Sequence, residues 1–419
     1  MQSAIVLDAG SSSVKAACST ATAPNSFPSL AGRAKYKPLF HTSHGDAAVA
    51  VGNTAAERRG LLHLSYPIQH GSIVDWDAWH LLLQHIEQQL NTPLAERDVF
   101  WVEHPFSSRP QRARVAQVLF EEKSISGMCV GVAPLLSLYA TGNTTGMVLD
   151  VGDGVSSVAA AVQGYAVTAM MQREDFGGGA VTQYLQRLLR EYGSYYATCD
   201  GGDGSHGVHS TVTSRFNPSR CGAERELVRT IKEQRCEVSP HPVPTSAIPA
   251  RAAEGAAGDD GEGDTALLSF AQAVAATPPK KHCLPDGTEL MLGYELLQAP
   301  EVLFNPALLG KEHVGLAELV ANAVRVADIE LRAELCQHVY LTGGSTLLSG
   351  FGQRFLSELL RLTPRNCKVR VSAPAERSHM AWLGASFLTR LSTFPQEMVV
   401  SRADFLEEGE RALHNRRVG

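Results

Sequence analysis

Metal-binding and disulfide signatures are missing from this sequence. Its eight cysteines are scattered along 419 residues, with no CxxC pair and no histidine partner at zinc-ligand spacing. This scatter argues against a zinc module or a disulfide framework. The expected state of the cysteines is reduced thiols, most of them buried.

The sequence also has no excess of positive charge and no long apolar run. Its 37 basic and 43 acidic residues leave a net charge of −6, which gives no electrostatic footprint for direct binding to nucleic acid or acidic lipid. No uncharged apolar stretch reaches the roughly 20 residues needed to span a bilayer. The start, MQSAIVLD, lacks the basic and long apolar regions of a signal peptide. We therefore expect a cytoplasmic protein without membrane insertion.

Length and patterning favour an α/β protein with two domains. A chain of 419 residues suits two domains of about 150 to 200 residues each. In the first half, strand-like runs alternate with segments of helical apolar spacing, such as AWHLLLQHIEQQL (78–90) and RARVAQVLFEEK (112–123). This alternation is typical of α/β folds. Near the end, HVYLTGGSTLLSGFGQRFLSELLRL (338–362) predicts a strand, a Gly-Gly turn and a helix.

Two stretches interrupt this pattern. Residues 192–222 are rich in Gly, Ser, His and Asn, and residues 238–282 are rich in Pro, Ala, Gly and acid. Such compositions bury too little apolar surface to offset the entropy lost on ordering. Both are therefore predicted to be exposed, disordered insertions, the second with a short helix at 265–276. Between and after them we predict a helix at 223–236 and a hairpin around the Asp-Gly turn of LPDGTELML (284–292).

One device occurs twice. AIVLDAGSSSVKAACS (4–19) and MVLDVGDGVSSVAA (147–160) each give an apolar run, an aspartate, a turn of small residues and a second strand-like run. A phosphate chain needs backbone N–H donors at close range, which Gly and Ser supply in a tight turn, and a divalent cation to neutralise charge. We predict phosphate contacts from Gly10, Ser11, Ser12, Lys15, Gly152, Asp153 and Gly154. Asp8, Asp150 and Asp153 are predicted near the cation, through its waters. Either turn alone is also explained as an ordinary hairpin with local aspartate hydrogen bonds.

A third element suggests where a nucleoside would lie. LTGGSTLLSG (341–350) places Gly343 and Gly344 after a strand and before a helix, which lets a flat group approach the backbone closely. The same turn can be a simple close crossing of strand and helix. On the helix at 223–236, Lys232 and Glu233 are candidates to bracket the ribose or purine, although their spacing alone favours a solvated face.

These segments resemble the actin family over nearly the whole chain apart from the two biased stretches. The similar segments are long and collinear: YPIQHGSIVDWDAW (66–79), LLSLYATGNTTGMVLDVGDGV (135–155), AERELVRTIKEQRC (223–236), LPDGTE (284–289) and SAPAERSHMAWLGASFLTRLSTF (372–394). The resemblance implies a duplicated, ribonuclease H-like α/β fold, with two domains of two subdomains each around a nucleotide cleft. It also implies ATP or ADP with Mg²⁺ or Ca²⁺, held by the residues named above.

The resemblance also implies domain boundaries. The first domain would comprise 1–140 and 380–419, with 33–65 as its small subdomain. The second would comprise 141–379, with 177–311 as its small subdomain.

Within the family, the similarity is closer to the centractin branch than to conventional actin. RRGLL (58–62), GGSTLLSGFGQRFLSE (343–358) and RVSAPAER (370–377) are among the segments that favour this branch. It implies a cytoskeletal protein that self-associates into a short filament with dynactin-like partner subunits, linking cargo to a microtubule motor. Three alternatives stay open: a nuclear actin-related subunit of a chromatin-remodelling complex, a conventional actin-like filament protein, and a sugar kinase of the same superfamily.

The sequence departs from the family where water is activated. Conventional actin has a glutamine and a histidine at the positions of Ala133 and Ser157. Water is a poor nucleophile unless it is oriented and deprotonated. We therefore expect slow or absent ATP hydrolysis and assign no catalytic residue. Ser378 and Leu348 stand where the family has a lysine and a tyrosine, which weakens the expected nucleoside contacts.

Overall fold

The computed structural model describes residues 3–36, 49–192, 194–196, 222–243, 280–284, 289–364, 367–416 and 418. Its strands are β1 (Ile5–Ala9), β2 (Ser13–Cys18), β3 (Asn25–Pro28), β4 (Ala31–Ala34), β5 (Val49–Val51), β6 (Leu62–Ser65), β7 (Ile68–Gln69), β8 (Ser72–Ile73), β9 (Asp98–Glu103), β10 (Gly127–Val132), β11 (Gly146–Val151), β12 (Ser156–Val162), β13 (Tyr165–Ala166), β14 (Gln172–Glu174), β15 (Ser194–Tyr196), β16 (Lys280–Cys283), β17 (Glu289–Leu292), β18 (Val339–Thr342), β19 (Val371–Ser372) and β20 (Val400–Ser401).

The α-helices of the described residues are α1 (Gly52–Glu57), α2 (Trp76–Leu90), α3 (Arg109–Gln117), α4 (Ala133–Ala140), α5 (Gly178–Tyr192), α6 (Gly222–Arg235), α7 (Glu295–Gln298), α8 (Leu316–Val326), α9 (Ile329–Gln337), α10 (Phe351–Leu362), α11 (Met380–Leu388), α12 (Arg402–Glu408) and α13 (Glu410–Asn415). The helices predicted at 78–90, 112–123 and 223–236 correspond to α2, α3 with the π-turn Val118–Glu122 that follows it, and α6. Across the described ranges, none of the helices combines the length and apolar character that crossing a membrane requires.

Two six-stranded sheets share one plan. The first has the order β20-β10-β9-β1-β2-β3, and the second β13-β12-β11-β18-β19 with β14 added on β12. In each, a hairpin (β1–β2 or β11–β12) pairs antiparallel, and its first strand pairs parallel with a later strand (β9 or β18). A further parallel strand, β10 or β19, follows in each sheet. The duplication predicted from the sequence is therefore present in the topology.

Separate cores cover the two sheets. Alternate residues of β1 point to opposite faces, so Ile5 and Leu7 join a core with Trp79, whereas Val6 joins one with Trp382. The second sheet is covered by a large core drawn from residues 147–371, which includes the fully buried Leu149. These cores agree with two α/β units, and the predicted boundaries near 140 and 380 stay a prediction.

The small sheets correct the predicted insertions at their edges. β15 and β16 both pair with β17, so 194–196 and 280–282 are strands rather than disordered chain. The ladder with β17 satisfies their backbone groups, which composition alone does not reveal. The β16–β17 pairing confirms the predicted hairpin, whose turn at 285–288 lies outside the described residues. Residues 197–221 and 244–279, with the predicted helix at 265–276, also lie outside them.

The start of the second predicted insertion is also fixed. The Val238 amide donates to the Ser349 carbonyl at 2.7 Å. The buried guanidinium of Arg354 donates to the carbonyls of Ser239 (3.1 Å) and His241 (2.8 Å) and forms a bidentate pair with Glu301. Residues 238–243 are therefore part of the folded body, because a buried cation needs these acceptors.

Candidate functional site

The two hairpin turns open onto one cavity of about 590 Å³. This volume lies within the range typical of small-molecule sites. Every residue that the sequence predicts for phosphate, cation or nucleoside contact lines it: Asp8, Gly10, Ser11, Ser12, Lys15, Asp150, Gly152, Asp153, Gly154, Lys232, Glu233, Gly343 and Gly344. The fold thus brings the predicted set together, and its role in binding stays a prediction.

The turns have the same backbone geometry. In β1–β2, the Gly10 amide donates to the Ser13 carbonyl at 3.1 Å, and in β11–β12 the Gly152 amide donates to the Val155 carbonyl at 2.9 Å. A Cβ built on either glycine would lie 3.1 Å from that same carbonyl oxygen. Glycine at these positions therefore keeps each turn tight and its outer backbone open to a ligand.

The turns also meet each other. A Cβ on Gly154 would lie 2.6 Å from Ser11 Oγ and 2.9 Å from the His70 backbone nitrogen. His70 Nδ1 lies 2.9 Å from the Gly154 carbonyl, and the Gly71 amide donates to Ser11 Oγ at 3.2 Å. The two sheets therefore approach closely at the position where a phosphate chain would run between the turns.

Opposite charges alternate along the floor of the cavity. Lys15 Nζ donates to Asp8 Oδ2 at 2.9 Å. Burial by itself would lower the pKa of Lys15, but the carboxylates of Asp8 and Asp150 outweigh it and raise that pKa, so the ammonium stays charged. Burial raises the pKa of Asp150, against the opposing effects of His104, Lys15 and a hydrogen bond from Thr342 (3.2 Å). A cation or a phosphate entering here would meet side chains whose charges are already paired with one another.

The three predicted cation ligands fall into two places. The charges of Asp8 and Asp150 both raise the pKa of Lys15, so these two carboxylates are near the same ammonium group. Asp153 instead lies 3.4 Å from Lys232 Nζ and 3.7 Å from an Arg225 nitrogen. Among the residues that the structure describes, no group of three or more His, Cys, Asp or Glu is placed to hold a metal ion directly. Asp8 and Asp150 suit a hard cation that keeps most of its waters, as Mg²⁺ does.

The backbone packs closely at the end of the cavity where the sequence predicts a nucleoside. Gly343 has φ +90°, and a Cβ there would lie 2.3 Å from the Val151 carbonyl oxygen, so only glycine fits between β18 and β11. Next to it, a Cβ added to Gly344 would have no atom within 4 Å, which leaves open space for a flat group. Ser378 and Leu348, the two departures noted in the sequence, also line this cavity.

Lys232 and Glu233 differ from each other in their surroundings. Lys232 is 6% exposed and donates to the Gly178 carbonyl at 3.0 Å, so it is not part of a solvated helix face. The Glu233 side chain is 54% exposed and pairs with Arg229 at 2.9 Å. The tertiary contact of α6 with the start of α5 buries one neighbour and leaves the other in water.

Contacts also cross the outer rim of the cleft. The Tyr66 hydroxyl, just after β6, donates to Glu226 on α6 at 3.0 Å. The Arg225 guanidinium lies 4.4 Å from the centre of the Tyr66 ring and also approaches Asp153. Burial, followed by the nearby Glu226 carboxylate, raises the pKa of Tyr66, so its hydroxyl remains a donor at neutral pH. We name Tyr66, Arg225 and Glu226 the rim contact.

Two histidines of the cavity were missed by the motif analysis. His104 directly follows β9, and His379 directly precedes α11, and both line the cavity. Burial lowers the pKa of each ring, which keeps both neutral at pH 7. A signal for His104 was present, since a polar residue after a buried strand of an α/β sheet lies at the edge where ligands bind. The sequence gives no comparable signal for His379.

Comparisons with known proteins agree with this architecture. The Actin family model matches residues 1–418. A protein described as "Actin-like protein" from Neurospora crassa is 35% identical over 407 residues, which is 96% of this chain and 95% of that protein. The match to the family model runs through both hairpin turns and the Gly-Gly turn that surround the cavity. The chain therefore belongs to the actin family.

Proposed function

We propose that this protein binds ATP or ADP with a divalent cation and is a subunit of a short actin-like filament in a dynactin-like complex, with weak or absent ATP hydrolysis. One observation carries the proposal: two matched hairpin turns, from two sheets of the same plan, open onto the same cavity. A single turn would be explained as an ordinary hairpin, but two facing turns form a clamp suited to a phosphate chain.

The residues of the clamp have separate tasks in this proposal. Backbone amides around Gly10 and Gly152 bind phosphate oxygens, and Lys15 adds a positive charge between them. Asp8 and Asp150 hold the hydrated cation. A nucleotide bound to both turns stabilises the closed cleft by mass action.

The nucleotide content of the purified protein tests the binding. We expect about one ATP or ADP per chain after denaturation and ion-exchange chromatography. Lys15→Met should strongly reduce this nucleotide content, because it removes the ammonium group that pairs with Asp8 and lies near Asp150. Lys368→Met changes an exposed lysine and should leave the content unchanged. Nucleotide-free wild-type protein that also fails to bind added Mg·ATP would contradict the proposal.

The assembly is tested separately from the binding. Family membership supports self-association. The sequence segments that resemble the centractin branch support the dynactin-like partners. Sedimentation and electron microscopy of the purified chain should show short filaments of limited length. Mass spectrometry of the native complex should find subunits of a motor-adaptor complex. Co-purification with chromatin-remodelling ATPases would instead favour the nuclear alternative.

A further inference from the structure

His104 lies beside the position where the family's hydrolytic glutamine is replaced. The parallel register of β9 and β10 pairs Glu103 with Val132. His104 follows β9 and Ala133 follows β10, so the two residues lie side by side at the carboxyl edge of the sheet. Both line the cavity. An alanine side chain has no polar atom with which to bind a water at this position.

The second replaced position lies on β12 and is fully buried. Ser157 is paired with Asp150 across β11 and β12. The Asp150 carboxylate lies 3.9 Å from His104 Nδ1. The imidazole, which follows β9, is therefore next to the first replaced position by strand register and close to Asp150, the strand partner of the second.

The ring has hydrogen-bonding capacity that the described residues do not use. His104 Nδ1 is buried and has no hydrogen-bond partner among them. At 3.9 Å, the distance to Asp150 is too long for a direct hydrogen bond. Buried polar groups in folded proteins rarely stay unpaired, so this nitrogen is available to a water that enters the cleft with a ligand.

The backbone at His104 is fixed without the ring. The Ser107 hydroxyl donates to the His104 carbonyl at 2.9 Å, and an Arg173 nitrogen donates to the Pro105 carbonyl at 3.1 Å. Neither contact involves the imidazole. The ring can therefore be replaced by a side chain of similar size while this turn keeps its anchors.

We propose that His104 positions the water that attacks the terminal phosphate of ATP in this cleft, and that the residual hydrolysis of this protein depends on it. This inference rests on the proposed nucleotide binding. In the step, the water oxygen bonds to the γ-phosphorus as the bond from that phosphorus to the bridging oxygen breaks, and the electron pair leaves with ADP. Both water protons end on the released phosphate, so that ATP⁴⁻ and H₂O give ADP³⁻ and H₂PO₄⁻. His104 orients the water and is a positioning residue.

The test compares two substitutions of similar size, His104→Leu and His104→Gln. The glutamine side chain can hydrogen-bond to water, and the leucine side chain cannot. If His104 had only a structural role, both substitutions would change the hydrolysis rate to a similar extent. Single-turnover hydrolysis of γ-labelled Mg·ATP should fall at least about tenfold in H104L, and H104Q should keep a rate at least about threefold above H104L. The Kd for Mg·ATP, measured separately, should change by less than about threefold in both variants.

One surface control and three outcomes would separate the role of His104 from the proposed nucleotide binding. His63→Ala removes an exposed histidine of β6 and should leave the rate unchanged. Equal rates in wild type and H104L, with ATP bound, would overturn the role of His104 alone, as would wild-type hydrolysis no faster than that of free ATP. A wild-type chain that does not bind ATP would overturn the proposed nucleotide binding and the inference with it.

Discussion

A methyl group at Gly154 should separate the two turns of the clamp. Its Cβ would lie 2.6 Å from Ser11 Oγ, 2.9 Å from the His70 backbone nitrogen and 3.0 Å from Ser11 Cβ, whereas ordinary contact begins at 3.4 Å. Rotation of Ser11 can relieve the first clash, but the other two involve less movable atoms. Gly154→Ala therefore requires the turns to move apart by about half an ångström, comparable to other overpacking substitutions.

The cost falls on the closed cleft more than on the fold. Overpacking of this kind costs about 1–3 kcal/mol, and each 1.4 kcal/mol is tenfold in affinity, so the Kd for Mg·ATP should rise about 5- to 150-fold. Isothermal titration calorimetry measures this change directly. In thermal unfolding, the variant without nucleotide should unfold close to wild type, while the rise in Tm on adding Mg·ATP should shrink.

The matched control is Gly60→Ala. A Cβ on Gly60 has no atom within 4 Å, so this variant should bind Mg·ATP like wild type. If Gly154→Ala binds as tightly as Gly60→Ala, the turns do not close on one ligand and the clamp argument is refuted.

Three further substitutions test packing, the buried ion pair and a helix cap. Arg354→Met should cost about 3–5 kcal/mol in chemical denaturation, because it leaves Glu301 buried without its partner. Gly384→Ala should lower Tm sharply or prevent soluble expression, since its Cβ would lie 1.8 Å from a carbonyl of α4. Asp75→Ala should cost about 1 kcal/mol at pH 7, because Asp75 caps α2 and accepts a hydrogen bond from Ser65. The backbone cap first, and then Ser65, hold the pKa of Asp75 below its usual value, so the difference from wild type in denaturation curves should fade as the pH drops through that lowered pKa.

Local patterns predicted much of the fold. The hairpins around Gly10 and Gly152, and helices such as α2 and α10, depend on apolar periodicity and turn residues that lie close together in the chain. The strand at 194–196 was not predictable in this way. Its backbone is satisfied by β17, nearly a hundred residues away, and its three residues stand at the start of a stretch whose composition is typical of a loop.

The site was predictable as a set of residues but not as a set of interactions. The repeated motif identified the hairpin residues that line the cavity, because the duplicated fold places equivalent turns in equivalent positions. Sequence spacing could not show that Lys232 is buried against α5 or that His104 adjoins Ala133. Both depend on the packing of α6 and on the register between β9 and β10, which no short motif encodes.

The rim contact is one of several contacts that cross the cleft, beside the one between His70 and Gly154. Its hydrogen bond from Tyr66 to Glu226 is worth about 0.5–1.5 kcal/mol, and its partly exposed contact of a guanidinium with an aromatic ring about 0.5–1 kcal/mol. Thermal motion often breaks interactions of this size, so the rim contact alone would not retain a ligand for long. Residence time should then be determined by the grip on the phosphates. Arg225 also lies near Asp153, in the turn that is proposed to hold the phosphates. A change of charge around Asp153 when the phosphates leave would therefore weaken the rim contact as well. Departure of the ligand and opening of the cleft would then be coupled.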